Sequence, residues 1–167
     1  MIPVELLYGI IVSMVNIFAH SVVIVTLVRF MLGLGLGRVH HRRMFVLAGL
    51  MMLAGAALTF SHLFQVWIWA IAYQLVGAVQ DRDAYYFAFE SFTTVGYGDV
   101  LPVPRWRVLG PITAANGMLL FGASTALVFA ILTQAASALH LFDPHRRTKP
   151  PEQKAAKAAS SGAPPEH

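Results

Sequence analysis

The sequence contains no cysteine. Disulfide frameworks, thiolate zinc sites, iron–sulfur clusters and cysteine nucleophiles are therefore excluded, and redox compartment cannot be read. Charge is scarce as well: Asp, Glu, Lys and Arg make up 12% of the 167 residues, against about a quarter in soluble domains. Acidic residues are the rarer sign, 8 against 12 Lys and Arg. No segment repeats Arg or Lys every third residue, which argues against the usual voltage-sensing helix. The start, Met1-Ile-Pro-Val-Glu5, lacks the positive region and cleavage site of a secretory signal, and neither end carries a lipidation motif.

Hydrophobic residues, by contrast, reach 57%. Leu6–Val28, Met44–Gln80 and Val108–Phe142 hold no Asp, Glu, Lys or Arg over 23, 37 and 35 residues. Each exceeds the roughly 18 apolar residues that mark a membrane-spanning helix. The class expected is an all-α integral membrane protein. The net charge of +4 is concentrated in Arg38–Arg43 and His145–Lys157, beside the apolar runs, as cytoplasmic membrane flanks are. It is not a nucleic-acid surface. The positive-inside tendency puts both patches in the cytoplasm and the N-terminus outside, which needs an odd number of crossings.

Three crossings satisfy that parity. The second and third runs would then make helices about 50 Å long against a hydrocarbon core of about 30 Å. A hairpin inside Met44–Gln80 is the alternative. It requires a turn near Thr59–His62, where there is no Gly, Pro, Asn or Asp. Gly33-Leu-Gly35-Leu-Gly37 follows no strand and opens no βαβ unit, so it reads as a connector. The segment from Pro144 is rich in Pro, Ala, Lys and Ser without apolar periodicity, which favours disorder.

Between Gln80 and Val108 the sequence changes character. Asp81-Arg82-Asp83 precedes Ala84–Phe92, too short to span a membrane and long enough for two or three helical turns, with Asp83 as N-cap. Thr93-Thr94-Val95-Gly96-Tyr97-Gly98-Asp99 follows. A dehydrated monovalent cation needs a cage of oxygens, and successive carbonyls aimed to one side need alternating backbone conformations that L-residues resist. Gly96 and Gly98 relieve that obstacle.

Thr94-Val-Gly-Tyr-Gly-Asp99 resembles the selectivity filter of potassium channels, and Trp67–Leu132 resembles their pore module of outer helix, pore helix, filter and inner helix. The resemblance is most specific over Thr93–Asp99. It implies a potassium-channel pore fold with one extra N-terminal transmembrane helix. The parts would be an N-terminal helix at 1–32, a basic loop at 33–43, and a pore module at 44–139. That module divides into outer helix 44–80, pore helix 84–93, filter 94–99 and inner helix 107–139. A cytoplasmic tail at 144–167 completes the chain.

The resemblance further implies a homotetramer in a cell membrane, passing potassium as permeant ligand with no organic cofactor, and not an enzyme. The alternative is a non-conducting membrane subunit that uses the pore fold for assembly. Ligands would be the carbonyls of Thr94, Val95, Gly96 and Tyr97 with the Thr94 hydroxyl. Glu90, Ser91, Thr93, Gly98 and Asp99 would support them. Glu90 stands where proton-gated bacterial channels of this family place a glutamate that pairs with the filter aspartate, here Asp99. Two carboxyls sharing a site titrate jointly. Those relatives brace the filter with pore-helix tryptophans where this chain has Tyr86 and Phe87, which implies weaker bracing.

On the third run, Gly117 falls close to the family's glycine hinge, and Gly122 offers a second flexible or close-packing point. Both read equally as small residues for helix packing. Asn116 reads as cavity-facing or as an interhelical hydrogen-bonding residue, and Trp106 as part of an interfacial aromatic belt. Asn16 and His20 share one helix face, as do His62 and Gln65. The two faces are expected to meet, as a neutral hydrogen-bond network or as a proton sensor.

Overall fold

The computed structural model describes residues 3–33 and 43–138. Most of the basic loop expected at 33–43, and all of the tail expected at 144–167, lie outside the described residues. Four helices follow in order: α1 (Val4–Gly33), α2 (Arg43–Leu75), α3 (Asp81–Phe92) and α4 (Leu109–Ala138), with a 3-10 turn at Pro104–Trp106 leading into α4. Three stretches among the described residues, Val4–Met31, Ala48–Leu75 and Pro104–Gln134, are long and apolar enough to cross a membrane. The chain is an all-α membrane protein. α2 runs through Thr59–His62 without a break, so the hairpin alternative has no turn on which to fold back.

The expected outer helix at 44–80 is shorter at its far end. α2 stops at Leu75 because Gly77 adopts φ +61°, a left-handed conformation that glycine takes without a Cβ penalty. Its N–H donates to the Gln74 carbonyl at 3.0 Å, and the Ala78 N–H donates to the Tyr73 carbonyl at 2.9 Å. These are the paired bonds of a Schellman cap. The excess length of the second apolar run is thus a cap and a turn.

The short helix starts earlier than its expected range of 84–93. Gln80 takes the extended cap conformation, with φ −64° and ψ 142° and no side-chain capping bond, and α3 begins at Asp81. Asp83 is therefore not the N-cap. With Asp81 it lies in the first turn, where a carboxylate still favours the positive end of the helix dipole.

α3 buries Ala84, Phe87, Ala88, Ser91 and Phe92 against α2 and α4. Trp69, Tyr73, Phe92 and Leu109 are completely enclosed. Tyr73 meets Phe87 edge-on at 5.0 Å, and its hydroxyl bonds the Thr113 hydroxyl. Asn116 is interhelical: its Oδ1 accepts from Trp69 Nε1 at 3.1 Å, and its Nδ2 donates to the Ser13 carbonyl at 3.5 Å. α1 lies against both α2 and α4. The Tyr8 hydroxyl donates to the Ala72 carbonyl at 2.9 Å, its ring tilts against Trp106 at 5.8 Å, and Gly9 admits Ile112 so closely that a Cβ there would stand 2.7 Å from Cδ1. A second cluster joins Leu27 and Met31 of α1 to Leu50 and Ala54 of α2.

Lipid is as apolar as Leu, so helix association in a bilayer depends on close packing and interhelical hydrogen bonds. Gly117 is the tightest such contact. A Cβ at that position would lie 2.0 Å from the Phe92 carbonyl oxygen, whereas one at Gly122 would meet nothing within 4 Å. Gly117→Ala is expected to force α3 from α4 and to destabilise the detergent-solubilised protein by about 1–3 kcal/mol or more. Gly122→Ala should leave stability unchanged or raise it by up to about 1 kcal/mol. Thermal unfolding followed by circular dichroism distinguishes the two.

Candidate functional site

The Thr94–Asp99 loop leaves α3 through a dense set of backbone bonds. The Thr93 N–H donates to Phe89 O at 3.0 Å and the Thr94 N–H to Ser91 O at 3.0 Å. The Val95 and Gly96 N–H groups both reach Glu90 O, at 2.9 and 3.3 Å. The Thr93 hydroxyl adds a bond to Phe89 O at 2.8 Å. Carbonyls that a helix end leaves open are thereby satisfied, and the loop's donors are spent on its α3 side. The carbonyls of Thr94, Val95, Gly96 and Tyr97 accept none of the described hydrogen bonds.

Backbone sense alternates along this loop. φ is +63° at Thr94, +53° at Gly96 and +77° at Gly98, and not positive at Val95 or Tyr97 between them. Alternation of this kind turns successive carbonyls toward a common side. Glycine adopts the left-handed conformation freely, but Thr94 is β-branched and pays on the order of 1–3 kcal/mol for it. The glycines were legible in the sequence as the positions of reversal, and Thr94 was not. Thr94 through Asp99 are all exposed on the single chain, Val95 at 50% and Tyr97 at 76%. Neither side chain is buried.

Behind the loop, the Glu90 carboxyl faces the Tyr97 backbone N–H and the Asp99 carboxyl. The residue is buried, and its Oε2 has no partner among the described residues. Burial first, and the Asp99 charge second, push its pKa above the usual carboxylate range. The Tyr86 hydroxyl donates to Asp99 Oδ2 at 2.8 Å, and this bond is the chief reason its phenol is raised to about 12. At neutral pH it remains a donor. Asp99 Oδ1 accepts from the Val100 N–H at 3.1 Å. Of the two residues singled out for bracing, Phe87 turns into the core against Tyr73, and Tyr86 bonds Asp99. A tyrosine at the exposed face of an amphipathic turn, thirteen residues before an aspartate, carries no local signal of that pairing.

Ser91 is buried at the edge of a cleft of about 420 Å³ that separates the loop from the start of α4, with Phe87, Glu90, Gly96, Arg107 and Pro111 among its walls. Gly117 and Asn116 sit away from this cleft, in contacts between helices. Gly122 is exposed.

Glu90 sets a pH dependence whose sign follows from its raised folded-state pKa. Below the ordinary value near 4.5 the carboxyl is neutral in folded and unfolded chains alike and costs nothing. As pH rises through the raised value, the folded chain must hold a charge that its surroundings disfavour, and stability falls. Glu90→Gln is expected to melt higher than the parent at about pH 8 and to converge with it at about pH 4, in thermal unfolding across pH. Identical profiles for the two proteins would contradict this.

Residues 61–134 match the model of an ion-channel family. The match takes in the latter half of α2, all of α3, the Thr94–Asp99 loop and α4 as far as Gln134. No curated protein and no solved structure matches the chain. With three membrane-length helices around a short fourth, the chain has an all-α membrane fold, and the part of it that holds the loop, residues 61–134, is similar to an ion-channel family.

Proposed function

We propose that four copies of this chain form a potassium-selective channel, with Thr94–Asp99 as its filter. The observation that carries the reading is the alternating backbone of the loop, whose carbonyls at Thr94–Tyr97 accept none of the described hydrogen bonds. One chain offers one file of carbonyls, and a cage around a dehydrated cation needs several. Identical subunits around a fourfold axis close such a ring. Exposure of Val95, Tyr97, Tyr85 and Phe89 supports the same reading, since these apolar side chains, on the loop and on the helix before it, are left open to a neighbouring copy.

In this reading potassium is the permeant substrate and moves passively. Carbonyls of Thr94, Val95, Gly96 and Tyr97, with the Thr94 hydroxyl, replace its hydration shell. α3 presents the negative end of its dipole toward the ion path. Tyr86 and Glu90 hold Asp99, and Gly98 gives the strand its last reversal before that residue. α2 and α4 serve as outer and inner helices, and the extra helix α1 packs on both. The basic segments 38–43 and 145–157 support a cytoplasmic C-terminus and an N-terminus outside a cell membrane.

Flux into proteoliposomes tests the reading. Wild-type protein should pass potassium at least about tenfold faster than sodium, as a filter that substitutes carbonyls for hydration requires. Gly96→Ala should abolish flux through backbone strain alone, because a Cβ there meets nothing within 4 Å while φ is +53°. Equal flux from both proteins would overturn the proposal.

A further inference from the structure

Away from the loop, α1, α2 and α4 enclose a ring of four side chains. His20 is 1% exposed and Gln65 fully enclosed. Gln65 Nε2 donates to His20 Nδ1 at 2.8 Å and to the Ser61 hydroxyl at 3.0 Å. His62 Nδ1 donates to Gln65 Oε1 at 3.1 Å. Ser124 Oγ lies between the two imidazoles, 3.0 Å from His62 Nε2 and 3.1 Å from His20 Nε2. The rings stack at 5.2 Å and 26°.

Donor arithmetic fixes the protons. The amide nitrogen can only donate, so His20 Nδ1 is bare and its proton is on Nε2. The amide oxygen can only accept, so His62 carries its proton on Nδ1 and leaves Nε2 bare. Ser124 then accepts from His20 and donates to His62, and the ring closes with every polar atom satisfied. Turning the Gln65 amide over reverses each bond and exchanges the two histidines' roles. In either sense the imidazoles are opposite tautomers.

We infer that this ring is an intramembrane binding site for a single proton, taken up at the imidazole whose Nε2 is bare, His62 in the first of the two senses. A proton on His62 Nε2 needs only a turn of the Ser124 hydroxyl, which then accepts from both imidazoles through its two lone pairs. No side chain has to leave its place. A second proton is opposed. On His20 Nδ1 it would find the Ser61 hydroxyl at 3.2 Å but would still face the amide N–H at 2.8 Å, and turning the amide would set N–H against the His62 Nδ1 proton. It would also place two cations in stacked rings 5.2 Å apart.

The surroundings leave the ring's charge to itself. Around His62 stand Phe92 of α3 and Phe121 of α4, at 6.0 and 4.5 Å between centroids. α4 has no ionisable residue. The others on neighbouring elements are Glu5, Tyr8 and Arg29 of α1, Arg43 and Tyr73 of α2, and Asp81, Arg82, Asp83, Tyr85, Tyr86 and Glu90 of α3. Among the described contacts none of them bonds or pairs with either imidazole. Glu90, two residues before Phe92, faces Tyr97 and Asp99 instead. One turn from His20, Asn16 is fully buried, and neither of its amide atoms has a partner among the described residues. Uptake therefore charges the junction of three helices, one aromatic contact from the end of α3.

The inference stands apart from potassium conduction and is read without it. Full-length protein labelled with ¹⁵N at its 7 histidines is reconstituted in lipid bilayers and followed by solid-state NMR across pH, with His20→Gln and His62→Gln assigning the two rings. Near neutrality one ring should show the Nδ1–H form and the other Nε2–H. On acidification one of them should become imidazolium while the other stays neutral. Ser124→Ala should lose that uptake over the same pH range, and Ser124→Thr, which keeps the hydroxyl, should retain it. Like tautomers, joint protonation of both rings, no protonation in either, or an unchanged titration in Ser124→Ala would each overturn the inference. Should Ser124→Ala fail to fold, the wild-type tautomers and the number of protons taken up decide it.

Discussion

At Phe92 the end of α3 is pressed onto the middle of α4, and residue 117 has no space for a methyl group, since a Cβ would stand 2.0 Å from the Phe92 carbonyl oxygen. That approach fixes how far the last turn of α3 can move. The Thr94–Asp99 loop starts from this turn and hangs from its carbonyls, Glu90 O accepting from two successive loop N–H groups. Loop position and helix packing are thus one constraint. The other side of Phe92 extends it, because its enclosed ring touches Phe121 of α4 and His62 of α2. A displacement at the polar ring and a displacement at the loop pass through the same side chain.

Electrostatics reinforce the loop from behind. Asp99 is held by the Tyr86 hydroxyl and the Val100 N–H, and its charge keeps the phenol protonated and Glu90 inclined to stay neutral. A neutral Glu90 can share the Asp99 side of the loop, whereas a charged one would repel it across a poorly solvated gap. The strained Thr94 backbone is tolerated in the same way, by its N–H bond to Ser91 O and by the rigid helix end that supplies it.

Much of this was legible in the sequence, and the parts that were not have physical reasons. Uncharged runs reveal membrane helices because a charge in hydrocarbon is expensive, and the glycines at 96 and 98 reveal reversals because other residues resist them. The end of α2 was hidden because Val76-Gly-Ala-Val79 continues the apolar run, and only the pair of Schellman bonds shows that Gly77 ends the helix. Asp83 is a good cap by residue type, but the extended backbone at Gln80 put the helix start elsewhere. Tyr86 looked like a loss beside the tryptophans of the resembling channels. Its partner, Asp99, is brought near only by the return of the loop. Asn116 and Gly117 share a helix stretch whose two readings differ by a rotation, which sequence spacing does not set.

The place of α1 follows from what a bilayer withholds. In water an apolar helix joins a bundle to escape solvent, but in lipid that gain vanishes, and a helix stays docked through close packing and hydrogen bonds of about 0.6 kcal/mol each. α1 has both. Gly9 lets it approach Ile112, Tyr8 bonds the Ala72 carbonyl, and Asn116 reaches the Ser13 carbonyl. His20 then closes a ring to which α2 contributes His62 and Gln65, and α4 contributes Ser124. No single one of these bonds is strong. Their arrangement makes α1 dependent on α2 and α4 together, because the Ser124 hydroxyl and the Gln65 amide can satisfy both imidazoles only when the three helices are in register. An extra helix attached in this way is more than a membrane anchor. Its seat includes the buried imidazole of His20 and the half-buried one of His62, so the charge state of that seat and the docking of α1 are parts of one equilibrium.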